Sequence, residues 1–269
     1  MIRFVVFLLG WLMMLVLMVG CSSAPKSQYD VTTYQNMTLK LLALADRKRQ
    51  QGSWGQANTL YLEAEKYAIK RNDKYLLGLS FLKRAAIAIA QGRQTQAAML
   101  IKNVEQMVKF ERVDLAQGVD FVNAKMAQAK GDDQKAIALY RQLEVFYQHD
   151  AAKASFYRFK RWHVDEQEVA ITQIEQDLQL LRQHYEQHQL DNVEIFSFAL
   201  FAYLQWQVRH QQQGVEGILT EALEHFSRLE LGNKIAECYL LGADFYRRQG
   251  DIEKADYYQI QASKINLVL

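Results

Sequence analysis

Proline occurs once in this chain, at Pro25, and the sequence then runs to Leu269 without another. A proline inside a helix removes a hydrogen bond and clashes with the preceding turn, at a cost of ~3 kcal/mol. Nothing after residue 25 therefore interrupts a helix from within. The 13 glycines are few for the length, and Ala, Leu, Gln, Glu, Lys and Arg, all good helix formers, dominate the rest. Asn-Gly hairpin turns and alternating Val/Ile/Thr runs are missing, so strands have no signal. The chain is expected to be all-α.

A short motif punctuates this helical text: glycine, four mostly polar residues, alanine. It stands at Gly52-SWGQ-Ala57, Gly92-RQTQ-Ala97, Gly131-DDQK-Ala136 and Gly250-DIEK-Ala255. The first three glycines lie 40 and 39 residues apart. Gly131 to Gly214 spans 83, about two further periods, and Gly214 to Gly250 spans 36. Asp165-EQEV-Ala170 is a weaker copy in the gap. Each glycine is expected to end a helix in the left-handed conformation that costs glycine little. Asp132 and Asp251 are placed to cap the next helix, and each alanine sits in its first turn, where a small side chain lets two helices approach. A hairpin of this size cannot bury its own apolar face, so repeats with this period must stack.

The motif resembles the tetratricopeptide repeat. In the last unit Tyr239, Gly242, Ala243, Tyr246, Gly250, Ala255 and Ala262 fall on that family's packing positions; in the first, Ala45, Gly52, Ala57, Tyr61 and Ala64 do. Ala85, Gly92 and Ala97 represent the second unit, and Ala124, Gly131, Ala136 and Tyr140 the third. The family's terminal proline is absent and the period exceeds its usual 34 residues. The resemblance implies an α-solenoid of about six hairpins over residues 33–269: helices at 33–51 with 55–71, 74–91 with 94–109, 112–130 with 133–148, 151–162 with 166–188, 191–213 with 215–228, and 231–249 with 252–265. It also implies that the first helix of each unit lines a concave face that receives a partner's peptide or helix.

The N-terminus has a different character. Arg3 precedes an apolar run from Phe4 to Gly20, then Cys21 and the polar stretch Ser22-Ser23-Ala24-Pro25. A basic residue, an apolar core and a small-residue cleavage site make a secretory signal. As an uncleaved helix the run would rise about 25 Å, short of a hydrocarbon core of ~30 Å. Met18-Val19-Gly20-Cys21 resembles a bacterial lipobox, with Met18 where Leu is usual. The resemblance implies a signal peptide at 1–20, a lipidated Cys21, a tether over 21–32 and, because Ser22 follows the cysteine, the periplasmic face of the outer membrane.

The formal charge is +2, which excludes a general nucleic-acid binder. With Cys21 lipidated, Cys238 is left alone, so no disulfide framework exists; its apolar surroundings suit a buried, inert thiol. By repeat spacing the candidate partner-binding residues are Leu79, Leu82, Ile89, Phe121, Lys125, Asp244, Arg247 and Arg248, with Ala86 and Ala90 on the same face of helix 74–91. That helix, apolar almost all round, either lines a groove or is covered by neighbouring hairpins. The aromatics Phe196, Phe198, Phe201, Tyr203 and Trp206 are either deep core or an interface, a second copy included. Residues 156–163 interleave aromatic and basic side chains, either for anionic headgroups or an acidic partner, or with Phe156, Phe159 and Trp162 as core and Arg158 and Arg161 solvated. The acids Asp165 to Asp177 have solvated-face spacing. His184 and His188, at i and i+4, are a possible metal pair, but Glu186 is one place off the metalloprotease pattern and no third ligand is evident. With no phosphate loop, nucleophile elbow or cofactor fingerprint, the reading is a non-enzymatic, lipid-anchored adaptor without cofactor or metal that binds envelope proteins. A homo-oligomer through 191–213 and a metal-dependent hydrolase are the alternatives.

Overall fold

A computed structural model describes residues 32–267. The signal-like segment, Cys21 and most of the tether lie outside the described residues, and everything below concerns the unit Tyr34–Leu269 with the first residue of its first helix. Among the described residues there are twelve α-helices and no strand: α1 Thr33–Gln50, α2 Trp54–Arg71, α3 Lys74–Ala90, α4 Gln94–Glu111, α5 Ala116–Ala129, α6 Asp133–Phe146, α7 Ala151–Val164, α8 Ile171–Glu186, α9 Glu194–Arg209, α10 Val215–Arg228, α11 Gly232–Arg248 and α12 Ile252–Asn266. None is long and apolar enough to cross a membrane.

The motif glycines do what their spacing demands. Gly52, Gly92, Gly131 and Gly250 all have φ between 72° and 82°. After Gly131, the Asp132 N–H bonds back to the Ala127 carbonyl at 3.0 Å and the Gly131 N–H to Gln128 at 3.0 Å, so carbonyls that the helix leaves open are satisfied. The next helix begins at once: the Asp132 carboxylate accepts from the Lys135 N–H at 3.2 Å and that of Asp251 from Lys254 at 3.0 Å. Asp73 and Asp150 cap α3 and α7 in the same way. Ala57, Ala97, Ala136 and Ala255 have no exposed surface.

The differences from expectation cluster where the motif is weak. Gly214 has φ −84° and merely precedes α10; the left-handed turn that ends α9 is made by Gln211, at φ 50°. Ala170 is exposed and stands before α8 rather than inside it. Residues 166–170 are not helical because Asp165 accepts from the Gln167 N–H at 2.9 Å, which closes an Asx turn. Residues 112–115 are not helical either. Arg112 is left-handed, and Leu115 reaches onto Gly78 of α3, where an added Cβ would come within 2.6 Å of the leucine.

Packing is serial. Each even helix from α2 to α10 contacts the odd helix after it, and α3 also meets α5, α7 meets α9 and α9 meets α11. The core is correspondingly a chain of clusters, from Leu42, Tyr61 and Ile87 at one end, through Leu100, Val104 and Val122, to Leu181, Leu200 and Phe226. Such an arrangement is repeat-like: each helix buries its apolar stripe against sequence neighbours. Ion pairs tie the layers. Arg158 holds Asp177 at 2.6 Å and Glu144 at 2.9 Å, Arg161 holds Glu144 at 2.9 Å, and Arg84 holds Glu65 at 2.8 Å. The two arginines expected to be solvated are thus engaged, and Asp177 is buried.

The helices of the two ends also meet. The end of α1 lies against α9 and α11: Arg49 bonds Glu194 at 2.5 Å, Gln50 bonds the same carboxylate at 2.6 Å, and the Asn233 amide donates to the Gln50 carbonyl at 3.2 Å. Arg47 also pairs with Glu230. Glu194 opens α9, where the helix dipole favours an anion, and Gln50 closes α1, where a carbonyl lacks a helical partner. Residues more than 140 positions apart are brought together, and the odd helices turn one face toward a common interior.

Candidate functional site: the inner face of the odd helices

On α5 and α7 the sequence places phenylalanine and lysine four residues apart, Phe121 with Lys125 and Phe156 with Lys160, so each pair shares a helix face. The helices set these pairs side by side and add Phe198 from α9. Ring centroids lie 6.0 Å apart for Phe121–Phe156 and 5.8 Å for Phe156–Phe198. The Lys160 ammonium sits 3.3 Å above the Phe198 ring and 5.2 Å from Phe156, and Lys125 lies 5.7 Å from Phe121. All five side chains are half-buried, so the patch is neither sealed core nor open surface.

Its charge balance is unusual. Across the interior, Asp46 is held by Lys83 at 2.7 Å and by the Tyr61 hydroxyl at 2.5 Å, and Glu194 is held by Arg49 and Gln50. Among the described residues Lys125 and Lys160 have no such carboxylate. Burial pushes the Lys125 ammonium down to about 8, the nearby Arg49 adds to that, and Glu194 opposes it. Burial lowers Lys160 well below the ordinary lysine value, and Lys125 lowers it further. Rings over a cation give modest stabilisation of roughly 0.5–2 kcal/mol, less than a paired anion offers in the same surroundings.

Of the residues chosen by repeat spacing, Phe121 and Lys125 lie in this patch. Leu79 is half-buried against the first core cluster. Leu82 and Ile89 are 5% and 7% exposed and belong to the core between α3, α4 and α5; they are packed, and the position between Leu79 and Ala86 on the inner side of α3 is taken by Lys83. Asp244 and Arg248 pair with each other at 2.8 Å on the surface of α11, and Arg247 is exposed beside them. The aromatics of α9 divide: Phe196 and Tyr203 are core, Phe198 faces Lys160, Phe201 lies under Lys234 at 4.2 Å, and Trp206 stacks on Tyr203.

The groups with possible chemistry are otherwise engaged. His184 is on α8 but His188 lies beyond its end at φ 55°, so the two do not share a helix face. Among the described residues no three His, Cys, Asp or Glu side chains are grouped to hold a metal. Cys238 is fully buried and its thiol is pushed up to about 12, which keeps it protonated. A serine–histidine pair that the sequence reading missed joins Ser197 to His225 at 2.8 Å. His225 is buried among Tyr185, Phe196 and Phe226, and its Nδ1 has no partner to orient it as a base. A cleft of about 710 Å³ between Trp162, the 165–170 loop and Trp206 is occupied at its edge by Glu166, which bonds Arg209 and His210.

Comparison of the chain with protein-family models, with curated proteins and with solved structures finds no match.

Proposed function

We propose that this chain is a non-enzymatic adaptor of the bacterial cell envelope, a tetratricopeptide-like solenoid of six hairpins that holds a segment of a partner protein against its inner face. In this reading residues 1–20 are removed as a signal peptide, Cys21 carries the lipid, and the helical unit faces the periplasm from the outer membrane. The observation that carries the binding role is the Phe121–Phe156–Phe198 patch with two lysines that have no carboxylate partner among the described residues. Large apolar side chains such as Phe110 and Phe146 are exposed elsewhere, but this patch differs in that three rings from three helices converge, partly open, around two ammonium groups, while Arg84 and Arg158 have carboxylates. Aromatic anchors with charged neighbours are how protein interfaces obtain affinity and register. The lipid anchor rests on the lipobox resemblance alone.

Photo-crosslinking in intact cells tests the binding role. A crosslinker in place of Phe121 or Phe156 is expected to yield a discrete protein adduct, whereas one in place of Ile69, which is 62% exposed on α2, is expected to yield none. Equal labelling from all three positions, or none from any, contradicts it. Metabolic labelling with a radioactive fatty acid tests the anchor: incorporation should vanish in Cys21→Ser.

A further inference from the structure

Most of the buried or half-buried cations in the described part of this molecule have an anion within reach. Arg84 has Glu65, Arg158 has Asp177 and Glu144, Lys83 has Asp46, and Arg49 has Glu194. Lys125 and Lys160 stand apart. They approach the same Phe121 ring, at 5.7 and 6.0 Å, and so lie close enough to repel each other. A desolvated ammonium without a counter-ion is costly, and a second one beside it raises that cost. The nearest acid, Glu194, already accepts hydrogen bonds from Arg49 and Gln50. The protein therefore sets side by side, on its inner face, two lysines whose anionic partner is not among its own described side chains.

We propose that Lys125 and Lys160 bind a carboxylate side chain in an acidic segment of the partner, with Phe121, Phe156 and Phe198 taking the apolar side chain next to the acid. The inference rests on the adaptor reading above and names the chemistry of its partner. One carboxylate has two oxygens for two ammonium groups, so each lysine can donate to one of them, and it offsets one of the two like charges that repel. The rings exclude water and so strengthen the pairing, and they offer apolar contact that a bare ion could not use. A headgroup layer is the poorer fit. The ammonium groups lie among α5, α7 and α9 with α1 opposite, where a flat membrane surface cannot follow but an extended chain can.

The test uses the full-length protein in detergent micelles with its lysines carrying ¹³C-dimethyl labels, which keep their charge. The Lys125→Arg and Lys160→Arg variants identify the two signals. The probes are the capped peptide acetyl-Leu-Glu-Phe-Asp-Leu-amide and its neutral twin acetyl-Leu-Gln-Phe-Asn-Leu-amide. The acidic peptide is expected to shift both signals, to raise the pH at which they titrate, and to bind at least tenfold more tightly than the twin. That preference should weaken with added salt and disappear in the Lys125→Met/Lys160→Met protein, whose fold is checked by its helical circular dichroism. Equal binding of the twins, no binding of either, or an acid preference that survives the double replacement overturns the proposal. So does inorganic phosphate, or a vesicle of phosphatidylglycerol, moving the same signals as strongly as the peptide. The crosslinking experiment keeps the two readings apart. If Phe156 captures the same protein with and without both lysines, the acidic-segment inference fails and the adaptor stands. If the parent captures nothing, the adaptor fails whatever the peptides do.

Discussion

Lys125 carries the clearest conflict between stability and use. Its folded value of about 8 lies below the ~10.4 of an unfolded lysine. Below pH 8 the folded state holds a charge that the unfolded chain holds more cheaply in water, and the penalty fades as pH rises toward 10.4. Stability should therefore climb across that window. Lys125→Met should raise stability at pH 7 by ~1–2 kcal/mol, allowing for its partial exposure, and should flatten the alkaline rise; urea unfolding at several pH values reads both. His225 has the same sign at lower pH. Burial pulls it from 6.5 down to about 4, so the unfolded chain takes up the proton first and stability falls as pH drops from 6.5 toward 4. His225→Gln, which keeps a partner for Ser197 and removes the titration, should lessen that fall in thermal melts. Repeat spacing singled out Phe121 and Lys125, which fall in the aromatic–lysine patch of the candidate site. Phe198 and Lys160 entered only as members of runs with two readings, although Phe-x-x-x-Lys at 121–125 recurs at 156–160. An aromatic–basic run such as 156–163 reads as a contact for anions or as core with a solvated face until the neighbouring helices are known.

For the helices, the all-α reading holds and most boundaries were legible, because the glycine that stops one helix and the aspartate that starts the next are local signals. Asn72, like glycine, suits the left-handed turn it makes, but where Arg112, His188, Gln211 and Glu230 take that turn the sequence carries no such mark, and the reading weakened over 150–230. Gly131 and Gln211 make a matched test. Gly131 has open space for a methyl group, so Gly131→Ala should cost ~1 kcal/mol through backbone strain alone. Gln211→Gly should instead stabilise by ~0.5 kcal/mol, since relief of strain exceeds the added freedom of the unfolded chain. Chemical denaturation of the two variants checks the pair. Leu82 and Ile89 were misplaced for an elemental reason. On a helix that is apolar nearly all round, periodicity cannot tell the face toward the next hairpin from the face toward the interior, and here Lys83 marks the latter.

Over the unit Tyr34–Leu269 the sequence predicts stacked helices and leaves their curvature open, and the structure brings the end of α1 against α9 and α11. Sequence could not show this, since the residues responsible, Arg47, Arg49 and Gln50 against Glu194, Glu230 and Asn233, are ordinary polar side chains separated by 144 to 183 positions. That closure creates the interior on which the function proposed here depends. Packed helices lie about 8–10 Å apart, so an extended row of five hairpins would hold the end of α1 roughly 50 Å from the start of α11. The decisive measurement is the electron–electron distance between spin-labelled amino acids at positions 47 and 230 of the full-length protein. These residues form an exposed pair whose loss should cost no more than about 1 kcal/mol. A single narrow distribution below about 20 Å is the result this account predicts; a broad distribution centred near 50 Å would contradict it.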